Sequence, residues 1–329
     1  MATVLVDAVA STFNLPNYHG PLFMLHQNAN VISGLIGSMA PGGGRVIDNY
    51  EFGMNTEELP TAQQPEILEG ASVPDPTSIG MTHSKNVTQI FDESYGVTYS
   101  KTADFGRISG DAGVEHTAGQ GVADPDPFSR QALLKLQLVR RQINYTWING
   151  TYQNPDDPTK TARKTRGLLE ATDAGNVIAA GGAVLSKDLL DEFFRTLWIN
   201  GALDNGIPVI FCNAYQKQKI SKVYGYAPMD RNVGGVNIKQ IETDFGTFMI
   251  TLERDMPTDT LACFNVGVCS PVYNLVHDPR TGAVKGVFFT EPVPQTKNIY
   301  IDHLYGEIGL DHGPGQWHGK ITGLQSADA

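Results

Sequence analysis

A long amphipathic helix is written between residues 126 and 150, and a rod of that length dictates how the rest of the chain must be arranged. Asp126 offers an N-cap oxygen, and Pro127 fits the first helical position, where a missing N–H leaves no bond unmade. Ala132, Leu136, Val139, Ile143 and Trp147 then recur at spacings of four and three and share one stripe. Leu134, Leu138, Tyr145 and Ile148 widen that stripe, Arg130, Lys135, Arg140 and Arg141 are interspersed, and Gly150 ends the run. About 24 residues rising 1.5 Å each make roughly 36 Å, longer than the average globular helix. The stripe marks Leu136, Val139, Ile143 and Trp147 as the residues that meet a core.

What precedes the helix is poor in core. The first 80 residues are rich in Gly, Pro and Asn, and their apolar residues come in short clusters such as Leu22–Leu25 and Val31–Ile36. Gly42-Gly43-Gly44 breaks any helix there. An arm that packs on a neighbour reads this way, and so does an ordinary surface loop. In residues 83–115, Val87, Ile90, Val97 and Tyr99 sit among Thr, Ser and Asn. With Asp92-Glu93-Ser94 and Tyr95-Gly96 as the turn, they predict a two-stranded hairpin. An isolated hairpin is marginal in water, so this one must rest on something else.

After the helix the chain reads as a compact mixed body. Lys160, Arg163, Lys164 and Arg166 form a short basic run behind Pro155 and Pro158. A second amphipathic helix covers Ser186–Asn200. Ser186 caps it, Leu189, Leu190, Phe193, Phe194, Leu197 and Trp198 form its buried face, and Gly201 stops it. A strand at Pro208–Cys212 leads into a helix near Ala214–Tyr224. Further strands are expected at Val236–Glu242, Thr247–Glu253, Leu261–Val268, Asn298–Leu304 and Gln316–Thr322. The class is α+β. With 329 residues, 41% of them hydrophobic, the chain is long enough for roughly two domains and a sizeable core.

Charge and motif content exclude several functions. The formal net charge is −11. Residues 1–125 hold four basic side chains against fourteen acidic ones, so nearly all of the excess lies there. An acidic chain repels phosphate, which argues against dedicated nucleic-acid binding. The N-terminus lacks the basic region of a secretory signal. The longest apolar run, Val177–Leu185, falls far short of the roughly 18 residues a membrane span needs. Cys212, Cys263 and Cys269 match no metal or redox spacing and read as buried free thiols. The nearest approach to a phosphate loop, Gly313–Lys320, has Pro314 inside it and Ile321 where a Ser or Thr is needed. No GxGxxG, HExxH or GxSxG pattern occurs. Asp302, His303, Asp311, His312 and His318 gather metal-ligating types, but at no established ligand spacing. His277-Asp278-Pro279 reads as a turn. No catalytic residue, cofactor or metal ligand is assigned.

Taken in order, the segments resemble the major head proteins of tailed bacteriophages, which share the HK97-like fold with encapsulins. The resemblance is carried by Glu69-Gly70, by Lys85–Ala103 (KNVTQIFDESYGVTYSKTA), by the helix Phe128–Asn149 and by Arg163–Thr172 (RKTRGLLEAT). It continues through Ser186–Gly201, Thr243–Asp259 (TDFGTFMITLERDMPTD) and Leu304–Leu324 (LYGEIGLDHGPGQWHGKITGL). It implies an N-terminal arm over residues 1–64 and an E-loop hairpin region over 65–118. A P-domain with a spine helix would follow at 119–166, then an A-domain at 167–290 and return strands of the P-domain at 291–329. It further implies a capsid subunit that assembles with itself into hexamers and pentamers of an icosahedral virion head. Portal, scaffolding and decoration proteins would be further partners, and packaged DNA would be contacted non-specifically. An encapsulin-like compartment shell is the nearest alternative, and a metal-dependent enzyme built on the histidine cluster is a remote one.

The charge asymmetry adds an expectation of its own. If the acidic hairpin region of one subunit overlaps the next, then Asp92, Glu93 or Asp104 is expected to face the Lys160, Arg163, Lys164 and Arg166 cluster there. Each exposed pair would contribute only about 0.2–1 kcal/mol.

Overall fold

A computed structural model describes residues 30–37, 43–73, 75–102, 127–203, 206–224, 240–294 and 298–326. The long helix runs Pro127–Asn149 and begins at the proline expected to open it. Val139, Ile143, Trp147 and Ile148 are fully buried, whereas Leu136 is only partly covered. The widening of the stripe was read too broadly: Tyr145 is exposed.

Thirteen strands are found among the described residues. They are β1 (Arg45–Ile47), β2 (Glu51–Glu57), β3 (Met81–Val87), β4 (Gln89–Thr98), β5 (Val177–Ala179), β6 (Pro208–Cys212) and β7 (Gln240–Thr243). The rest are β8 (Gly246–Leu252), β9 (Leu261–Asn265), β10 (Ser270–Asn274), β11 (Phe288–Pro292), β12 (Ile299–Asp311) and β13 (Gly319–Thr322). One sheet has the order β1-β10-β12-β11, with β4 also paired to β12; a second has the order β5-β13-β9-β6-β8-β7; β2 and β3 form a two-stranded ribbon. Helix and sheet are thus combined in an α+β fold.

The second sheet separates two cores. Alternation along β6 sends Val209 and Phe211 to one face and Ile210 and Cys212 to the other, and all four are buried. Val209 and Phe211 join Phe264, the long helix and β12 residues Leu304, Ile308 and Leu310. Ile210 and Cys212 join Leu190, Phe193, Phe194 and Leu197 of the Lys187–Ile199 helix. That helix is capped as expected, since the Leu189 N–H donates to Ser186 Oγ at 3.3 Å. Trp198 departs from expectation: it is 56% exposed and leans on Phe245 instead of entering the core.

The hairpin reading needs correction. Residues 89–98 do not turn at Tyr95-Gly96; they run straight as β4 and pair antiparallel with β12 from Gln89↔Ile308 to Thr98↔Ile299. The alternation explains it: Phe91, Tyr95 and Val97 are buried on one face while Ile90, Asp92 and Ser94 face outward. Gly96 serves close approach and not a turn, because a Cβ there would lie 2.8 Å from the Tyr300 carbonyl oxygen. The projecting ribbon is β2–β3, in register from Glu51↔Val87 to Glu57↔Met81. Its first strand lies in the segment assigned to the arm. Asp104, Asp126 and residues 1–29 lie outside the described residues.

Candidate assembly surface

The ribbon β2–β3 is anchored at its root by a set of buried polar groups. Asn86, fully buried, donates from Nδ2 to the Leu310 carbonyl at 2.8 Å, and its Oδ1 accepts from the Arg166 N–H at 2.9 Å. Glu307 on β12 accepts from Asn274 Nδ2 and from Tyr305 Oη, both at 2.7 Å. Thr88 Oγ1 donates to its Oε2 at 3.5 Å, and Arg163 approaches the same oxygen at 3.4 Å with its guanidinium carbon 4.5 Å over the Tyr50 ring. Burial, reinforced by the bond to Glu307, pushes the Tyr305 hydroxyl well above its ordinary value and keeps it a donor. Glu51 pairs with Lys85 at 2.6 Å and accepts from Asn154 at 2.7 Å, and the Lys85 hydrogen bond holds its carboxyl below the usual range.

Two glycines make this possible. The chain leaving the long helix returns past Gly150 through Gly167, whose N–H donates to the Gly150 carbonyl at 2.9 Å. A Cβ on Gly150 would sit 2.7 Å from the Thr165 carbonyl, and one on Gly167 would sit 2.5 Å from the Gly150 nitrogen. The close crossing brings Arg163–Arg166 onto the ribbon root.

Beyond the root no described residue buries the apolar side chains of the ribbon's connection. In residues 58–73 and 75–80, Leu59, Ile67, Leu68, Val73 and Ile79 are all exposed, Leu68 by 82% and Val73 by 90%. Soluble monomers rarely leave such a run of large apolar side chains uncovered.

The charged residues singled out from sequence divide into two groups. Glu93 is used inside the chain: it accepts from Lys135 at 2.7 Å and from Gln142 at 2.8 Å, tying β4 to the long helix, and the Lys135 bond holds its carboxyl below the usual range. Arg163 is taken by Glu307, and Arg166 covers the Tyr152 ring at 4.5 Å. Asp92 is exposed and lies 3.1 Å from His303 Nδ1. Lys160 and Lys164 are exposed, and Lys160 pairs with nearby Asp157 at 3.0 Å. Sequence reading missed Glu307, Asn86 and Thr165, polar residues whose partners lie far along the chain.

The histidine cluster does not converge. His303 is on the outer face with Asp92, while His312 and His318 are buried with ring centroids 6.4 Å apart. The Asn265 N–H donates to His318 Nδ1 at 3.2 Å, so its Nε2 carries the proton and donates to the His312 carbonyl at 2.6 Å. Burial pushes both rings down to about 4. Among the described residues no group of three or more His, Cys, Asp or Glu is placed to hold a metal, and no helix is long and apolar enough to cross a membrane.

The profile of the SU10 major capsid protein family matches residues 6–325. The chain belongs to that family. Its role is therefore structural: it is a phage major capsid protein, it self-associates into a shell, and its place is the virion capsid. Solved structures show the same HK97-like fold. The cyanophage A-1(L) capsid subunit matches at 9% identity with a TM-score of 0.66, covering 97% of this chain and 99% of that one. The capsid subunit of a native GTA particle matches at 10% identity with a TM-score of 0.60, covering 96% and 97%. The SrpI encapsulin of Synechococcus elongatus PCC 7942 matches at 8% identity with a TM-score of 0.57, covering 98% and 96%. No curated protein matches by sequence.

Proposed function

We propose that this capsid protein forms hexamers and pentamers of an icosahedral phage head that encloses DNA, and that it acts without catalysis or cofactor. The observation that carries this reading is the uncovered apolar connection between β2 and β3 on a ribbon firmly rooted in its own body. A rigid root with an uncovered tip suits an element whose resting surface is another copy. In the terms of the family, β2–β3 serves as the E-loop and the Pro127–Asn149 helix as the spine of the P-domain. The sheet containing β6, with its helices, serves as the A-domain within 167–290, and β12 and β13 serve as return strands. Contacts to portal, scaffolding or decoration proteins would be made by the finished shell.

Replacing residues 58–80 with a short Gly-Ser turn tests this. The shortened chain is expected to fold, with an unchanged thermal midpoint, and to form no closed particles. Normal particles from it would contradict the proposal. Particle contents separate the compartment-shell alternative: nucleic acid supports a phage head, and a protein cargo supports the other.

A further inference from the structure

Two short connectors carry the chain between its two sheets. Residues 266–269 lead from β9 of the second sheet to β10 of the first, and residues 312–318 lead back from β12 to β13. The connectors lie side by side. Cys269 Sγ is 3.3 Å from the Asn265 carbonyl oxygen and 3.9 Å from that of His312. A Cβ on Gly313, whose φ of +66° favours glycine, would sit 3.0 Å from Val268 Cγ2.

His318 closes this seam. It is fully buried at the end of the second connector, and its two ring nitrogens reach both connectors at once. Nε2–H donates to the His312 carbonyl at 2.6 Å, where its own connector begins, and Nδ1 accepts from the Asn265 N–H at 3.2 Å, where the other begins. Asn265 carries the hold further, because its Oδ1 accepts from the Ile207 and Gly267 N–H groups at 2.9 and 3.2 Å.

The arrangement requires a neutral ring. A second proton on Nδ1 would set two N–H groups against each other, and the ring could keep it only by leaving the Asn265 amide. The surrounding groups do not favour the cation in place. Burial holds Cys269 as a neutral thiol, and His312 is itself buried and pushed down to about 4, with Arg166 adding positive charge on its side. Asp311 is engaged by the Gly313 N–H at 3.1 Å and by Arg45 at 3.8 Å. On β13, Lys320 brings a further positive charge, held on the Leu169 carbonyl at 2.7 Å, and Glu170 beside it accepts from the Tyr152 N–H at 2.6 Å. The Phe264 ring, 5.9 Å from that of His318, is apolar.

We propose that His318 is a proton-released latch on the seam between the two sheets: neutral, it ties the two connectors together, and protonated, it leaves the seam and lets them part. The opening is local, because the pairs of β13 with β9 and of β10 with β12 are untouched. In a subunit that fits both five- and six-membered rings, the seam sets how far one sheet can tilt against the other. That consequence rests on the shell reading above, whereas the latch is a property of the single chain.

Hydrogen–deuterium exchange of the full-length chain before assembly tests it, at pH 7 and pH 5 with the intrinsic pH dependence of amide exchange removed. Protection over residues 265–269 and 312–318 should fall by roughly twentyfold, the ratio for one ring that titrates at about 4 in the closed seam and roughly 6.5 in the open one. The middle of β6 and of the long helix should not change. His318→Gln offers a donor and an acceptor without a titrating ring and should stay closed at both pH values, whereas His312→Gln should still open. If His318→Gln does not fold, deuterium uptake at the histidine C2 carbons of the unmodified chain serves instead, and His318 should titrate with the midpoint of the seam amides. An unchanged seam at pH 5, protection lost equally in β6 and the long helix, opening that persists in His318→Gln, or a His318 midpoint apart from that of the seam would overturn the inference. A failure to form shells leaves these results untouched, so the latch and the shell reading fail separately.

Discussion

Arg163 and Glu307 meet at 3.4 Å with each side chain only 10% exposed, at the point where the ribbon root, the returning loop and β12 converge. Removing Arg163 leaves the largely buried Glu307 charge with neutral donors alone and no counter-ion among the described residues. Arg163→Ala is therefore expected to lower the stability of the unassembled chain by about 3 kcal/mol. Replacing both, as Arg163→Met with Glu307→Leu, should cost less than either single change. A denaturant series in which the double variant is the least stable would contradict this.

The spine helix gives a graded expectation. Ile143 is fully buried, and truncation to Ala should cost about 2–5 kcal/mol, as large-to-small core changes do. Leu136 is only partly covered, so Leu136→Ala should cost roughly 1 kcal/mol. Equal losses in the two variants, read from denaturation midpoints, would show that the helix face is rotated from the one described.

His312 and His318 set an acid limit. Their folded values of about 4 lie below the value of roughly 6.5 for an unfolded histidine. The unfolded chain therefore takes up protons first as pH falls. The contribution to stability is complete above pH 6.5 and is lost as pH drops from 6.5 through 4. His318 is the more sensitive, because a proton on Nδ1 would oppose the Asn265 N–H. Stability should be flat from pH 8 to 7 and decline steeply below 6.5. His312→Leu should remove about half of the slope in that window. An undiminished slope would place the titration elsewhere.

The thiols should be inert in the native protein. All three are buried, and burial pushes Cys212 and Cys263 up to about 12 and Cys269 further still. An alkylating reagent at pH 8 should modify none of them until denaturant is added, as mass spectrometry would show.

Periodicity made the helices legible. The Ser186 cap, the Pro127 start and the stripe through Val139, Ile143 and Trp147 depend on neighbours three or four residues away, and the structure agrees with each. The hairpin was misplaced because Asp92, Glu93 and Tyr95-Gly96 within β4 imitate a turn, although the alternation of the strand continues through them. Its partner is β12, some 200 residues on, which no local pattern reveals. Trp198 was misread because the helix stripe extends past the sheet that covers it. The charged residues were found but not their use: Glu93, Arg163 and Arg166 have partners remote in sequence, and only folding shows that they are already engaged.

Electron microscopy of the purified full-length chain at high concentration tests the central claim most directly. A subunit of this family with an uncovered ribbon tip should close into uniform icosahedral particles built of the one chain. A preparation that stays monomeric and well folded under every assembly condition, with no shells in the field, would contradict it.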